Sequence, residues 1–470
     1  MPRWTYLAFA GLCVAALVGT FVYPTYPTYD SYYALLWGRE VLDGQLPVFE
    51  GFRAPTQHPL AIVVAMLLEL VPGGGGDRLW ILVILASFLA LVAGVYRLAA
   101  VAFTPLVGAV AAVLALSRFD FAFLAVRGYI DIPYLALVVW AVALEAQRPR
   151  RGTVVFALLT AAGLLRPEAW LLAGLYWLWL FKPSTGRQRV DWTAWALAAP
   201  LLWALVDEVV TGDTLYSLNS TSDSAGELGR SVTLADVPGA VPDFLVSLVK
   251  LPVALAGAAG LAAAVWLMPR RAVWPGVLLV SSVVTFVAIA AAGLSAIERY
   301  LVLAALALII FAAVAAAGWT LLERGSRLRT AWMAAAGVAV AVVVVFTVAN
   351  LDLQRFDSEL GFRGDSHASL VDILEEPAVR DALECGPLTL PNHKLVPDAR
   401  YVADLPFARV RERVQDPRQA GGVAIVVVGR YAVFKYAWTN EFDPADVQLP
   451  PDGFNLVART DDYAAYARCA

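Results

Sequence analysis

Charged residues, cysteines and histidines are scarce in this chain of 470 residues. Asp, Glu, Lys and Arg make up 16% of it, whereas a soluble domain averages about 25%. This difference excludes an ordinary soluble enzyme and a nucleic-acid binder with a basic patch. Three cysteines are too few for a disulfide-dense scaffold. The histidines, His58, His367 and His393, are too scattered for a metal-site motif, so no metal ligands are predicted.

Apolar residues, in contrast, dominate the sequence. They account for 60% of it, and the mean hydropathy is +0.67. A helix that crosses the hydrocarbon layer needs roughly 20 apolar residues, so the sequence predicts an all-α polytopic membrane protein with about eleven transmembrane helices. Two of these helices, 153–165 and 169–181, are too short to cross singly. The predicted spans lie at about 5–23, 79–99, 103–117, 131–147, 153–165, 169–181, 192–210, 244–267, 273–293, 300–319 and 331–350.

Basic residues cluster on one side of the predicted spans. Alternation through the spans places four clusters on the same face as Arg3 and Arg97. Because cytoplasmic loops carry an excess of Arg and Lys, this face is predicted to be cytoplasmic, with the N-terminus on it. The chain is thus expected in the plasma membrane as a multi-pass protein. The clusters are Arg148, Arg150 and Arg151; Lys182, Arg187 and Arg189; Arg270 and Arg271; and Arg324, Arg327 and Arg329.

The opposite face carries isolated charges of both signs at helix ends. An ionisable group at membrane depth costs about 2.5–3.5 kcal/mol on insertion scales, so it tends to pair or to line a wet cavity. Loop charges outside the bilayer carry no such cost, and part of this set is simply solvated. Helix-end groups that share one face nevertheless predict an extracytoplasmic cavity that binds anions. These groups are Arg127, Asp131, Arg166, Glu168 and Arg299.

The composition changes sharply at about Leu351. Residues 1–350 form the predicted transmembrane module, and the polar residues 351–470 form a small α/β domain, extracytoplasmic by alternation. This domain contains a β-like run at 422–428 and a short amphipathic helix at 369–381. Its two cysteines, Cys385 and Cys469, lie in an oxidising compartment and are predicted to form a disulfide. Cys13, inside the first span, is a small packing residue.

The first extracytoplasmic loop, residues 24–58, is long, aromatic and interrupted by proline. Within it, Ser31 to Leu42 form an amphipathic segment, and Tyr and Trp at this density favour the water–lipid boundary. Asp30 immediately precedes this segment. One interpretation is an N-cap carboxylate on an interfacial helix; the other is a carboxylate at the membrane surface that takes a proton from an acceptor hydroxyl.

Several sequence motifs, in this order, carry a resemblance to a known family. They are TYDSYYALLWGREVLDGQLP, APTQHPL, RGYIDIPYLAL, LLRPEAWLL, TGDTLYSLNSTS and IERYLVLAALAL. The chain over about residues 1–320 resembles the polyprenyl-phosphate-dependent glycosyltransferases of the GT-C fold, the class of protein O-mannosyltransferases and lipid A aminoarabinose transferases. The resemblance implies a GT-C-like transmembrane module and transfer of a mannose-like sugar or a pentose from a polyprenyl-phosphate donor.

The resemblance also implies roles for individual residues. Asp30 serves as the general base, with inversion at the anomeric carbon. Arginine can bond phosphate oxygens bidentately and stays charged, and the predicted donor-phosphate ligands are Arg299, Arg166 and Arg127. The supporting residues are Asp131 and Glu168, which orient those arginines, Tyr300, which follows Arg299, and His58, which is either a donor contact or a hydrogen-bonding helix cap.

Some alternatives stay open at this point. No cofactor is fixed by the sequence, and a divalent cation is left open, because Asp30 is followed by Ser31 where the family often has a second acid. The acceptor is an extracytoplasmic glycan, lipid or protein, and membrane lipids are further partners. The alternative functions are a polytopic transporter of a lipid-linked or anionic substrate and a non-catalytic membrane scaffold. Transporters commonly show internal repeats, and the long first loop has no counterpart near the middle of this chain.

Overall fold

The protein is seen in a computed structural model, which describes residues 3–71, 75–227, 232–294, 296–349, 353–416, 419–433 and 449–469. It is mainly helical, with one small sheet near the C-terminus. Short 3-10 helices include Glu298–Leu301, Gly318–Leu321 and His393–Leu395. The α-helices are α1 (Arg3–Val22), α2 (Tyr29–Leu42), α3 (Pro59–Glu69), α4 (Gly76–Ala102), α5 (Pro105–Leu116), α6 (Phe119–Val126), α7 (Asp131–Gln147), α8 (Thr153–Gly163), α9 (Glu168–Phe181), α10 (Gly186–Thr211), α11 (Tyr216–Glu227), α12 (Val237–Val249), α13 (Leu251–Leu267), α14 (Pro269–Ala291), α15 (Val302–Ala317), α16 (Arg327–Ala349), α17 (Leu353–Glu375), α18 (Pro377–Leu383), α19 (Val396–Ala403) and α20 (Arg430–Ala432).

The predicted polytopic helical architecture is confirmed, and every predicted span falls on helical residues. The number of membrane-spanning helices differs from the predicted number of about eleven. Among the described residues, six helices are long and apolar enough to cross a membrane, or eight if each of two bent pairs counts as one span. The helices α8 and α9, with 11 and 14 residues, are shorter than a membrane is thick.

Two spans are broken, and a hydrogen bond connects the two breaks. The pair α5 and α6 bends by 63°, and the pair α12 and α13 bends by 111°. Pro252 follows the second break, where it cannot continue the preceding helix. The guanidinium of Arg118, at the first break, donates a 3.0 Å hydrogen bond to the carbonyl of Val249 at the second. A backbone carbonyl freed by a bend in a membrane helix thus finds a donor.

The helix α15 forms the centre of the membrane module. Nearly all its residues are buried, as expected for a helix that is apolar on every side. Helix α13 packs directly against it through glycines: a Cβ atom at Gly260 would lie 1.8 Å from the carbonyl oxygen of Phe311. Small residues of this kind let two membrane helices approach closely.

The C-terminal residues build a five-stranded mixed sheet. The strands β1 (Leu388–Leu390), β2 (Val410–Glu412), β3 (Gly422–Val427), β4 (Asn455–Arg459) and β5 (Tyr463–Arg468) lie in the order β2-β1-β3-β5-β4. Pairings of β1 with β2 and β3 are parallel, and those of β5 with β3 and β4 are antiparallel. The predicted strand at 422–428 is β3. The sheet forms its own hydrophobic core with α17, α18 and α19; the domain boundary at residue 351 stays a prediction.

The predicted helix at 369–381 is wrong in its bounds. Residues up to Glu375 belong to the long helix α17, and α18 starts at Pro377. Proline suits the first turn of a helix but disfavours helical geometry in the residue before it, so the chain breaks at Glu376.

The C-terminal domain is joined to α2 and α3 by an ion pair and a hydrogen bond. Arg39 on α2 contacts Glu69 at 2.7 Å, and Tyr401 on α19 donates a 2.8 Å hydrogen bond to the same carboxylate. Arg400 on α19 pairs with Glu40 on α2, and both side chains are buried. The first loop is therefore held between the membrane helices and the C-terminal domain.

A disulfide joins Cys385 to Cys469, across a sequence separation of 84 residues. We expect that replacing both cysteines by serine lowers the free energy of unfolding by about 2–5 kcal/mol, because the unfolded chain gains conformational freedom. Chemical denaturation of the purified protein measures this difference. Mass spectrometry of the non-reduced wild type should detect a free thiol only at Cys13; free thiols at Cys385 and Cys469 would contradict the prediction.

Candidate active site

Asp30 lies in the first turn of a helix, not before it. Helix α2 starts at Tyr29, two residues earlier than the amphipathic pattern predicts, and its N-cap is Thr28. The N-cap interpretation of Asp30 is therefore wrong. A carboxylate in the first turn still interacts favourably with the positive end of the helix dipole. The Asp30 side chain is 20% exposed, so a ligand in an adjoining space can reach it.

Acidic and basic side chains from four segments meet in one network. Arg299 of the 3-10 helix Glu298–Leu301 lies between two carboxylates, with its Nη1 atom 3.4 Å from Asp30 Oδ2 and 3.8 Å from Asp131 Oδ2. Arg166, in the turn between α8 and α9, places Nη2 at 2.7 Å from Asp131 Oδ1 and Nη1 at 3.3 Å from Glu168 Oε1. The order of contacts is thus Asp30, Arg299, Asp131, Arg166 and Glu168, which we call the ionic network.

The ionic network is buried but leaves hydrogen-bond donors unused. The side chains of Asp131 and Arg166 are 4% and 7% exposed. Within the described part of the chain, the Nε atoms of Arg166 and Arg299 are buried and have no hydrogen-bond acceptor. Because buried polar groups are nearly always hydrogen-bonded, these two donors can bind water or a ligand with acceptor oxygens.

A cavity of about 900 Å³ opens beside the ionic network. Asp30, Arg166, Arg299 and Tyr300 line it, and so do residues of the first loop. The ring centroid of Tyr300 lies 5.7 Å from the guanidinium carbon of Arg166, within the range of a cation–π interaction. This contact restrains the arginine in addition to its ion pairs. The structure thus brings together Asp30, Arg299, Arg166, Asp131, Glu168 and Tyr300.

Arg127 lines the same cavity but is not part of the ionic network. It pairs with Glu359 of α17 at 3.1 Å. Other residues of the C-terminal domain that line the cavity escaped sequence analysis, and no sequence signal pointed to them, because they are distant in the chain from the motifs of the membrane module. They are Glu359, Phe362, Arg363, His393, Lys394 and Asp398.

His58 lies on the cavity wall, in the loop before α3 and outside the spanning helices. Burial, reinforced by the positive charge of Arg166, lowers the pKa of His58 to about 3. The imidazole is therefore neutral at pH 6 to 8 and adds no positive charge to the cavity. It is the N-cap residue of α3, without a side-chain capping hydrogen bond.

The shifted pKa of His58 predicts how acid affects stability. The unfolded chain binds a proton at this residue below about pH 6.5, whereas the folded protein does so only near pH 3. Folding stability should therefore fall as the pH drops from 6.5 towards 3. We expect His58→Gln to lose this part of the acid sensitivity, as measured by thermal unfolding at several pH values; identical pH profiles for both proteins would contradict it.

The carboxylates of the ionic network are already paired with cations. Asp30, Asp131 and Glu168 each face a guanidinium within 4 Å, so these three side chains do not fit a metal ion. No group of three or more His, Cys, Asp or Glu side chains suited to a metal occurs in the part of the chain that the structure describes. We therefore derive no step through a metal.

Comparisons with known proteins give a likeness of fold. No protein-family model and no curated protein matches the chain. ArnT from Cupriavidus metallidurans bound to undecaprenyl phosphate superposes with a TM-score of 0.53 and 19% identity, over 99% of this chain and 98% of that one. ArnT in the apo state gives a TM-score of 0.57 and 18% identity, over 99% and 97%. The chain has the GT-C fold.

The same fold extends to a more distant protein. The Archaeoglobus fulgidus oligosaccharyltransferase, in complex with Zn and sulfate, matches with a TM-score of 0.50 and 12% identity, over 97% of this chain and 72% of that one. The likeness to ArnT covers the C-terminal domain as well as the membrane helices. The expectation that the resemblance ends at about residue 320 is therefore too narrow. The likeness of fold extends over nearly the whole chain, which is a multi-pass membrane protein.

Proposed function

We propose that the chain is an integral-membrane glycosyltransferase that moves a sugar from a polyprenyl-phosphate donor to an extracytoplasmic acceptor hydroxyl. One observation carries the proposal. Asp30, Arg166 and Arg299 are far apart in the sequence, yet all three belong to the ionic network and line one cavity. An acid beside clustered guanidinium groups is the arrangement that proton abstraction and departure of a phosphate require.

The arginines are assigned to the donor phosphate. Their unused Nε donors are buried at the cavity and suit phosphate oxygens, since a guanidinium binds phosphate through several parallel hydrogen bonds. Asp131 lies between Arg166 and Arg299 and Glu168 contacts Arg166, so these acids orient the guanidinium groups. Arg127, on another side of the cavity, is a further candidate ligand.

Asp30 is assigned as the general base. As the acceptor oxygen forms its bond to the anomeric carbon, its proton passes to Asp30, and the bond from that carbon to the phosphate oxygen breaks. The electron pair leaves with the polyprenyl phosphate, whose developing charge the arginines stabilise. Asp30 lies at one end of the ionic network, in contact with Arg299. The resemblance to GT-C glycosyltransferases implies attack from the face opposite the phosphate, which inverts the anomeric configuration.

A second, apolar cavity supports a lipid donor. It has a volume of about 270 Å³ and lies between α3, α4, α7 and α8. Its walls include Trp80, Ile130, Trp140 and Leu165. Ile130 and Leu165 directly precede Asp131 and Arg166, so apolar and ionic surfaces adjoin. An isoprenoid chain with a phosphate head, such as the undecaprenyl phosphate bound by ArnT, matches both surfaces.

The proposed orientation rests on the basic clusters and not on the number of spans. With these clusters on the cytoplasmic face, the N-terminus is cytoplasmic, and the cavity, together with the domain 351–470 that lines part of it, is extracytoplasmic. Activated nucleotide sugars are absent on that side, which explains the need for a lipid-linked donor. The transferred sugar is mannose-like or a pentose, and the acceptor is a glycan, a lipid or a protein.

Native mass spectrometry of the detergent-purified protein tests the donor class. Undecaprenyl phosphate mannose and undecaprenyl phosphate arabinose are added in turn, with water as the acceptor of the sugar, and the retained lipid and the undecaprenyl phosphate released by hydrolysis are measured. We expect wild type to retain and turn over one of them and Arg166→Ala to retain about tenfold less. Absence of both binding and turnover for the wild type would contradict the proposal.

A further inference from the structure

A buried carboxylate outside the ionic network holds part of the cavity wall. Asp207 lies in the last turns of α10 and is 1% exposed. It accepts three hydrogen bonds: from Gln57 Nε2 at 3.0 Å, from the Ser217 backbone N–H at 3.0 Å and from Ser217 Oγ at 2.8 Å. These three donors are uncharged. Asp207 thus links α10, the start of α11 and the first loop.

The loop segment that Asp207 holds faces the cavity. Gln57 is 2% exposed, and its neighbours Thr56 and His58 both line the cavity. Thr56 is further fixed by a 2.8 Å hydrogen bond to Thr221 on α11. The His58 ring packs edge-on against Trp203 of α10, at a centroid distance of 5.7 Å. Trp203 lies one helical turn before Asp207 on α10, and Thr221 lies one turn after Ser217 on α11.

The helix dipole does not explain a carboxylate at this position. The C-terminal end of a helix carries partial negative charge and disfavours an acid. What a carboxylate offers is two acceptor oxygens with no donor, so that Gln57 and Ser217 are bound together. An apolar side chain would leave their buried donors unsatisfied.

We infer that Asp207 is a positioning residue, which acts through Gln57 to hold Thr56 and His58 against the bound donor. This inference rests on the proposed function. Without the carboxylate the segment shifts, and the donor loses contacts that it makes on binding. Contacts that are lost equally in the bound state and in the transition state weaken binding without slowing the chemical step, so the KM for the donor should rise while kcat changes little.

The test compares Asp207→Ala, Gln57→Ala and the double variant in the full-length protein. We expect each single variant to raise the KM for the lipid-linked sugar about tenfold. The double variant should be no worse than either alone, because both remove the same contact. Asp207→Asn should restore most of the affinity, since its oxygen can accept from Ser217 and its amide can donate to the unpartnered Oε1 of a flipped Gln57.

Asp213→Ala is the matched control. Asp213 also lies between α10 and α11, and it accepts hydrogen bonds from the Leu215 backbone N–H and from Asn219. Neither of these two residues belongs to the first loop. It should leave the donor KM unchanged even if it lowers the melting temperature. A wild-type KM for Asp207→Ala, or additive effects of the two single variants, would overturn the inference. If Asp207→Ala does not fold, the donor KM values of Gln57→Ala and Ser217→Ala provide the same test. Failure of the wild type to bind any lipid-linked sugar would instead refute the proposed function.

Discussion

Asp30→Asn is expected to lower kcat for sugar transfer by about 10²–10⁴-fold, the usual contribution of a general base. Asparagine keeps the shape of the side chain and can accept a hydrogen bond from Arg299, but it cannot take the acceptor proton. Binding of the lipid-linked donor should be retained, because the arginines are unchanged. Single-turnover release of undecaprenyl phosphate, together with equilibrium donor binding, measures the two quantities separately.

Asp43→Asn provides the control for this prediction. Asp43 is an exposed acid at the other end of α2, so the substitution makes the same chemical change on the same helix, away from the cavity. It should transfer sugar at the wild-type rate. If Asp30→Asn folds normally and retains the wild-type kcat, Asp30 is not the base.

Arg299→Ala should raise the KM for the donor about 10- to 100-fold, because hydrogen bonds to charged groups contribute about 1.5–3 kcal/mol. Its loss also leaves Asp30 and Asp131 without their shared cation. The two carboxylates then lie near each other with less compensation, so kcat falls as well. Donor titration of the initial rate gives both parameters.

Arg299→Lys separates charge from geometry. Lysine keeps the positive charge but not the planar fork that can contact two acids and a phosphate together, so we expect an intermediate KM. Arg324→Ala, at an exposed position in a predicted cytoplasmic cluster, serves as the control and should leave the KM unchanged. A wild-type donor KM for Arg299→Ala would remove this residue from the site.

The membrane helices were predictable because apolar composition and span length are local properties of the sequence. Where a long span is broken was not predictable. Beside the bends after α5 and α12 lie contacts between residues far apart in the chain, such as that of Arg118 with Val249. The start of α2 was missed because Tyr29 and Asp30 precede the amphipathic pattern, although both belong to the helix.

The candidate site was predictable as a set of residues but not as a geometry. Isolated charges at one membrane face predicted four members of the ionic network, and Asp30 was predicted from the first loop and the family resemblance. Arg127 was predicted with them but lies outside the network. Sequence could not reveal that Arg127 pairs with the distant Glu359, or that Asp207 binds Gln57. Such pairings arise only when helices pack, because the partners are separated by 232 and 150 residues. The residue assignments of the site remain predictions for the experiments above.

The wall that α17 and α19 contribute to the cavity has a consequence for biogenesis. A ribosome-bound chain that has already inserted all its long apolar helices still lacks Glu359, Arg363 and Asp398. Its pocket is open on one side until the remaining polypeptide emerges and docks onto α2. The pocket is therefore completed last, after the membrane helices that carry the ionic network are in place.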